Sequence, residues 1–87
     1  KDMTMENKNE FVLEFAYPGL SKEDISIELF DSYIIISNEV ENNFVSKSRR
    51  SFKIPNYVDV SNIEASLNNG VLKIVLPKKN RNVIEIK

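Results

Sequence analysis

The chain has 87 residues, of which 41% are hydrophobic and 29% are charged, with 12 basic and 13 acidic side chains. This size fits one small globular domain, and the near-neutral charge favours neither nucleic acid nor an anionic membrane as a partner. The sequence contains no Cys and no His, which excludes disulfides, thiolate chemistry and the common zinc sites. No apolar run approaches the roughly 20 residues that a membrane helix needs.

Hydrophobic residues alternate with polar ones at a period of two, which predicts short β-strands. The first predicted strand covers residues 11–15 and is broken by Pro18-Gly19. Residues 25–29 give the clearest alternation, and residues 33–36 are apolar on both faces, as is typical of a strand inside a sandwich. Asp31-Ser32 marks a turn between these two strands.

The C-terminal half repeats this pattern. Residues 63–67 alternate, Asn68-Asn69-Gly70 is a hairpin signal, and residues 71–76 form a strand that Pro77 ends. Residues 83–87 give one last short alternating segment. About seven to eight short strands at this spacing predict an all-β fold, an immunoglobulin-like antiparallel β-sandwich.

The middle of the chain, residues 37–50, is polar on both faces. Asn42-Asn43 can adopt positive φ and predicts a two-residue hairpin that would set Val40 opposite Val45. A strand that is polar on both faces is expected to project past its own core as an edge open to another chain. The residues assigned to this edge are Val45, Ser46, Lys47, Ser48, Arg49 and Arg50.

Four motifs in order resemble the α-crystallin domain of small heat-shock proteins. Residues 18–25 are similar to the family's P-G-x-x-x-E-D-I segment, and residues 51–55 to its S-F-R-L-P strand. Residues 84–86 are similar to the I-x-I motif of its C-terminal extension. Residues 65–72 resemble its A-x-x-x-N-G-V-L signature, here carried by Ala65, Asn69, Gly70, Val71 and Leu72.

The resemblance implies a sandwich over residues 1–77 and an extension over residues 78–87, in which Ile84 and Ile86 dock into a groove on a neighbouring domain. That groove would be lined by Ile25, Ile27, Leu29, Ile63, Ala65 and Leu67. It also implies an ATP-independent holdase that binds non-native client proteins, forms a homodimer and larger homo-oligomers, and acts in the cytoplasm. We expect no enzymatic activity, no cofactor and no metal, since no nucleophile–base pair and no Walker-type glycine loop is present.

Several alternatives stay open. Ile84 and Ile86 could instead complete the chain's own sheet. The short connection over residues 37–50 resembles animal members that pair one long edge strand across a two-fold axis, rather than members that exchange an extra strand. A CS-domain co-chaperone or adaptor that binds a folded partner is the competing function.

Overall fold

A computed structural model describes residues 3–80 and 83–87. The predicted boundaries, 1–77 and 78–87, include residues 1, 2, 81 and 82, which lie outside the described residues. The described chain forms seven strands and two single-turn 3-10 helices at Lys22–Asp24 and Val60–Asn62. The strands are β1 Met3–Glu6, β2 Glu10–Ala16, β3 Ile25–Phe30, β4 Tyr33–Asn38, β5 Ser48–Lys53, β6 Glu64–Asn68 and β7 Val71–Pro77.

The strands form two antiparallel sheets, and the predicted all-β sandwich is confirmed. One sheet has the order β1-β2-β7-β6 and the other has the order β3-β4-β5. The two sheets bury a shared core, because β4 contributes Ile34 and Ile36 while β7 contributes Leu72, Ile74 and Leu76. Buried residues alternate with more exposed ones along both strands, as the pleat of a β-strand requires.

Two tight hairpins fix the register of these sheets. Asn69 and Gly70 have φ values of 52° and 76°, as the predicted Asn-Gly hairpin requires. Asp31 and Ser32 connect β3 to β4 with φ values of 49° and 68°, a left-handed conformation that is costly without glycine. Gly70 also packs against the Pro18 turn, since a Cβ at Gly70 would lie 3.1 Å from the Pro18 Cα.

The predicted hairpin at Asn42-Asn43 is wrong. β4 ends at Asn38 and β5 begins at Ser48, so nine residues form a loop over 39–47 (the 39–47 loop). Within it the Asn42 side chain closes a turn, because its Oδ1 accepts hydrogen bonds from the backbone N–H groups of Phe44 and Val45 at 2.8 and 2.9 Å. A side-chain oxygen that captures these backbone donors leaves no ladder between Val40 and Val45.

The predicted edge strand is corrected at the same place. Val45, Ser46 and Lys47 belong to the loop, and Val45 is buried in the core because its apolar side chain packs there. β5 does not project beyond β4, because the two strands pair along their whole length. Tyr33 stands opposite Lys53 at one end and Asn38 opposite Ser48 at the other.

β1 was not predicted. Its sequence, Met-Thr-Met-Glu, alternates apolar and polar residues over four positions only, which is short for a strand prediction, and it pairs with β2 along its whole length. Its register sets Met5 opposite Val12. Both side chains lie on the outer face of the sheet, which explains why Val12 is buried without belonging to the central core.

Candidate functional site

The two sheets leave one margin of the sandwich partly open. Phe15 of β2 packs against Phe52 of β5 with ring centroids 5.4 Å apart, so β5 lies over β2. The sheet orders continue as β2-β7-β6 and β5-β4-β3. In an aligned sandwich this brings β6 and β3 together at the opposite margin. Each of these strands pairs on one side only, so both have a free edge there.

The predicted groove residues on β3 all belong to the inward face of its sheet. Ile25, Ile27 and Leu29 stand opposite Asn38, Ile36 and Ile34, which are buried. Directly opposed residues of an antiparallel pair share a face. The β3 residues nevertheless keep solvent exposure, which reaches 48% at Leu29. They are therefore inward-facing apolar side chains that the sandwich does not fully cover.

β6 forms the other wall in the same way. Ala65 and Leu67 stand opposite Ile74 and Leu72, which are buried, so they also face inward. Ile63 and Leu67 pack partly against the core, whereas Ala65 is exposed between them. A methyl side chain between two larger ones leaves room for an incoming side chain along this wall. We call the six residues predicted to line the groove the apolar groove, and their role as a binding site stays a prediction: Ile25, Ile27, Leu29, Ile63, Ala65 and Leu67.

The C-terminal segment leaves the sandwich near one end of this groove. Lys78 is held in place because its Nζ lies 2.7 Å from Glu6 Oε2 and donates to the Asn7 carbonyl at 2.8 Å. The next residue, Lys79, lines a shallow cavity together with Leu29 and Val60. Leu29 is a groove residue, so the start of the extension and the end of the groove are neighbours.

The I-x-I residues themselves make no core contact. Ile84 is 86% exposed and Ile86 is 95% exposed. Residues 83–87 form no strand, so in this structure they do not complete the chain's own sheet. Two largely exposed isoleucines at alternate positions are an unusual surface feature.

The opposite margin carries the second predicted surface, the free edge of β5. Three of its side chains are basic, Arg49, Arg50 and Lys53, and none is acidic. The register confirms the predicted phase for Ser48 and Arg50, which face inward opposite Asn38 and Ile36. The Arg50 guanidinium lies 5.3 Å from the centroid of the Phe15 ring, which is within cation–π distance. The Arg50 side chain therefore covers the core at this end.

Two asparagines organise this margin in roles that were not predicted from the sequence, where Asn42 was assigned to a hairpin and Asn38 was not singled out. Asn38 is only 1% exposed, and its amide donates to the carbonyls of Val40 and Ser46. Asn42 donates to the Pro18 carbonyl at 2.9 Å, across 24 residues of chain. A signal for Asn38 did exist, because the inward phase of Ile34 and Ile36 continues to position 38 and places a polar side chain in the core.

Within the described residues no group of three or more His, Cys, Asp or Glu side chains is arranged to hold a metal ion. The described chain also contains no helix with the length and apolar character needed to cross a membrane.

Comparison with known proteins shows which family the chain belongs to. The model of the Hsp20/alpha crystallin family matches residues 3–87. A probable Hsp20 family chaperone from Onion yellows phytoplasma is 31% identical over 87 residues, which cover 85% of this chain and 64% of that protein. These similarities do not favour the CS-domain adaptor alternative.

Solved structures show the same fold. A small heat-shock protein from Xylella fastidiosa, described as having a distinct high-order structure, superimposes with a TM-score of 0.85 at 24% identity and covers 100% of this chain and 92% of that one. Heat shock protein 16.0 from Schizosaccharomyces pombe gives 0.76 at 27% identity, with 100% and 96% coverage.

The fold is that of an α-crystallin domain, and the chain belongs to the Hsp20/alpha crystallin family. This is a family of small heat-shock chaperones rather than of enzymes. The chain spans between 36% and 64% of the length of the curated relatives compared with it.

Proposed function

We propose that this chain is the core of an ATP-independent holdase that binds partly unfolded proteins in the cytoplasm and suppresses their aggregation. Family membership supports a chaperone role in stress. The observation that carries the finer proposal is the coexistence of a partly open apolar groove with an extension whose Ile84 and Ile86 are solvated. The free energy falls when a surface of this kind is covered by another apolar segment.

Residues 78–87 act as the oligomer-linking extension, and the apolar groove of a neighbouring copy receives Ile84 and Ile86. Burial of two isoleucine side chains contributes about 3–6 kcal/mol before ordering costs. After these costs a single contact has a dissociation constant of roughly millimolar to tens of micromolar. Stable assemblies therefore need several contacts at once, and their subunits exchange readily. Transient release would leave the groove open to apolar segments of a client.

The homodimer unit forms through the free edge of β5. Support comes from the position of β5 at the edge of its sheet, where its outer backbone groups can pair with a second strand. The 39–47 loop supports the same interface, since Val45 and Asn42 tie it to its own sandwich and leave no free strand to exchange.

The test is an aggregation assay without ATP. A thermally unfolding reporter such as citrate synthase is heated with the chain at a one-to-one ratio, and light scattering is followed. We expect scattering to fall by more than half. We expect the Ile84→Ser/Ile86→Ser variant to form smaller assemblies while its sandwich keeps the same unfolding midpoint.

Val83→Ser is the matched control, because Val83 is equally exposed but lies on the other face of an extended segment. It should assemble like the unchanged chain. Undiminished aggregation of the reporter would contradict the holdase proposal. Unfolding of the sandwich on removal of the two isoleucines would show that the extension belongs to its own core.

A further inference from the structure

The 39–47 loop is an acidic feature beside the basic edge strand, and hydrogen bonds anchor it to its own sandwich. Asn38 binds it at both ends, through the carbonyls of Val40 and Ser46. Asn42 anchors its centre to the Pro18 carbonyl. Held in this way, the loop presents two carboxylates, Glu39 and Glu41, to solvent.

The Glu41 carboxylate lies at the beginning of β5. Its Oε1 accepts a hydrogen bond of 3.3 Å from the backbone N–H of Lys47, the residue before β5 starts. Glu39 pairs with the Lys47 side chain at 3.0 Å, although both groups remain largely exposed. Arg49 and Lys53 have no ion-pair partner among the residues that the structure describes.

Pairing of β5 with a second copy brings these charges together. An antiparallel pair around a two-fold axis perpendicular to the sheet opposes residues of the same face. With the axis on Arg50, Lys53 of the second copy stands opposite Lys47; with the axis on Ser51, it stands opposite Arg49. Either register sets Lys53 beside a like charge, which destabilises the pair unless an acidic group lies between them.

We propose that Glu41 supplies that acidic group in trans: the 39–47 loop of one copy binds Lys53 of the second copy across the β5–β5 pair, twice per dimer. The proposal rests on the dimer interface of the proposed function and adds the residues that select the partner. Charge complementarity identifies the occupant as a second copy of this chain, since the acidic loop and the basic strand end meet only when two copies pair antiparallel.

Phe44 adds an apolar contact to the same interface. The turn at Asn42 fixes the Phe44 backbone, and its side chain is 81% exposed. The two-fold arrangement carries this ring toward the end of β5 in the second copy. Because the turn holds the loop in place, little conformational entropy is lost when the ring is covered.

The test uses two single charge reversals, Glu41→Lys and Lys53→Glu, in the 87-residue chain with Ile84→Ser/Ile86→Ser, so that the extension links no dimers. Each reversal makes both symmetric contacts of its homodimer repulsive, and its dimerisation should weaken about 10- to 30-fold. An equimolar mixture of the two makes both contacts attractive again. It should form a heterodimer with close to the unchanged affinity, measured by sedimentation velocity and native mass spectrometry.

Glu28→Lys is the matched control, because it makes the same charge change on the exposed outer face of β3, at the far edge of the sheet. It should leave the dimer unchanged. Phe44→Ser should weaken the dimer about tenfold without reversing any charge.

A mixture that stays monomeric would overturn the proposal, as would a Glu41→Lys homodimer of unchanged affinity. The latter result would leave pairing through β5 intact and remove only the loop from the interface. If the unreversed chain were monomeric at every concentration, both the interface and this contact would fail. Chaperone activity in the aggregation assay is a separate readout in each case.

Discussion

Asn38, the last residue of β4, anchors the 39–47 loop. Removal of its side chain should destabilise the domain more than removal of any polar side chain within that loop. Asn38 is 1% exposed and makes three hydrogen bonds. Its Nδ2 donates to the carbonyls of Val40 and Ser46 at 3.0 and 2.9 Å, and its Oδ1 accepts from the Ser48 hydroxyl at 2.7 Å.

The magnitude can be worked from these bonds. Each is worth about 0.5–1.5 kcal/mol net, and a buried group left without a partner costs more. Val40 and Ser46 are exposed residues, so in the Asn38→Ala variant we expect their carbonyls to regain water, whereas the half-buried Ser48 hydroxyl loses its acceptor. We therefore expect a loss of about 2–3 kcal/mol. A domain of this size is stabilised by only about 4–13 kcal/mol in total, so the loss is a large fraction.

Equilibrium unfolding in urea measures this difference directly. Asn43→Ala is the control, because Asn43 belongs to the same loop and is exposed, and its removal should change stability by less than about 0.5 kcal/mol. Asn38→Asp should be more harmful at neutral pH, because it loses both donors and buries a charge. A loss below about 0.5 kcal/mol for Asn38→Ala would refute the reasoning that this amide closes the loop.

Three further changes test the turns and the acid stability of the fold. Ser32→Gly should raise stability by about 0.5–1 kcal/mol in urea unfolding, because φ of 68° is left-handed; a loss would show that the turn is not strained. Gly70→Ala should lower the free energy of unfolding by more than about 1 kcal/mol, because Gly70 has a φ of 76° and the new Cβ would lie 3.1 Å from the Pro18 Cα. An unchanged urea midpoint would mean that this contact relaxes freely. Hydrogen bonds from Asn62 and Ser61 lower the pKa of Asp59 from its ordinary 3.8, so its stabilising effect is complete above the unfolded pKa and disappears as the pH falls through the folded one. The difference in urea midpoint between the unchanged chain and Asp59→Asn should therefore be constant above pH 5, approximately, and shrink below pH 4 or so; a difference that persists in acid would exclude this ionisation as its cause.

Much of the fold can be predicted from local patterns in the sequence. The period of two over residues 25–29 and 63–67 predicts both the strands and their inward faces, because one face of each strand must be buried. The Asn69-Gly70 hairpin is predicted by its chemistry, since both positions need positive φ. These features depend on neighbours in the sequence, which is why they can be predicted without the structure.

The 39–47 loop could not be predicted in this way. Its conformation depends on contacts between distant parts of the chain, chiefly the bond from Asn42 to the Pro18 carbonyl and the burial of Val45 in the shared core. When only its immediate neighbours are considered, the Asn42-Asn43 pair is as consistent with a two-residue hairpin as with the observed loop. β1 was missed because its alternation of Met3 and Met5 with polar residues covers only four positions, and its pairing with β2 is not visible in the local sequence.

The same distinction applies to the candidate site. The apolar stripe of Ile25, Ile27 and Leu29 can be predicted from the sequence. The position of β3 at the edge of its sheet, which leaves these residues partly exposed, cannot. That position is set by the order of strands in space. The assignment of the groove to the extension rests on the family resemblance, and it remains a prediction.

The central claim is that copies of this chain assemble because Ile84 and Ile86 occupy the apolar groove of a neighbour. Light scattering after size exclusion tests it, across concentration, on the unchanged chain, on Ile84→Ser/Ile86→Ser and on Ala65→Phe, which fills the groove from its small central residue. We predict that the unchanged chain grows beyond a dimer with concentration and that both variants stop at the dimer with folded sandwiches. Assemblies of the same size in all three would contradict the claim.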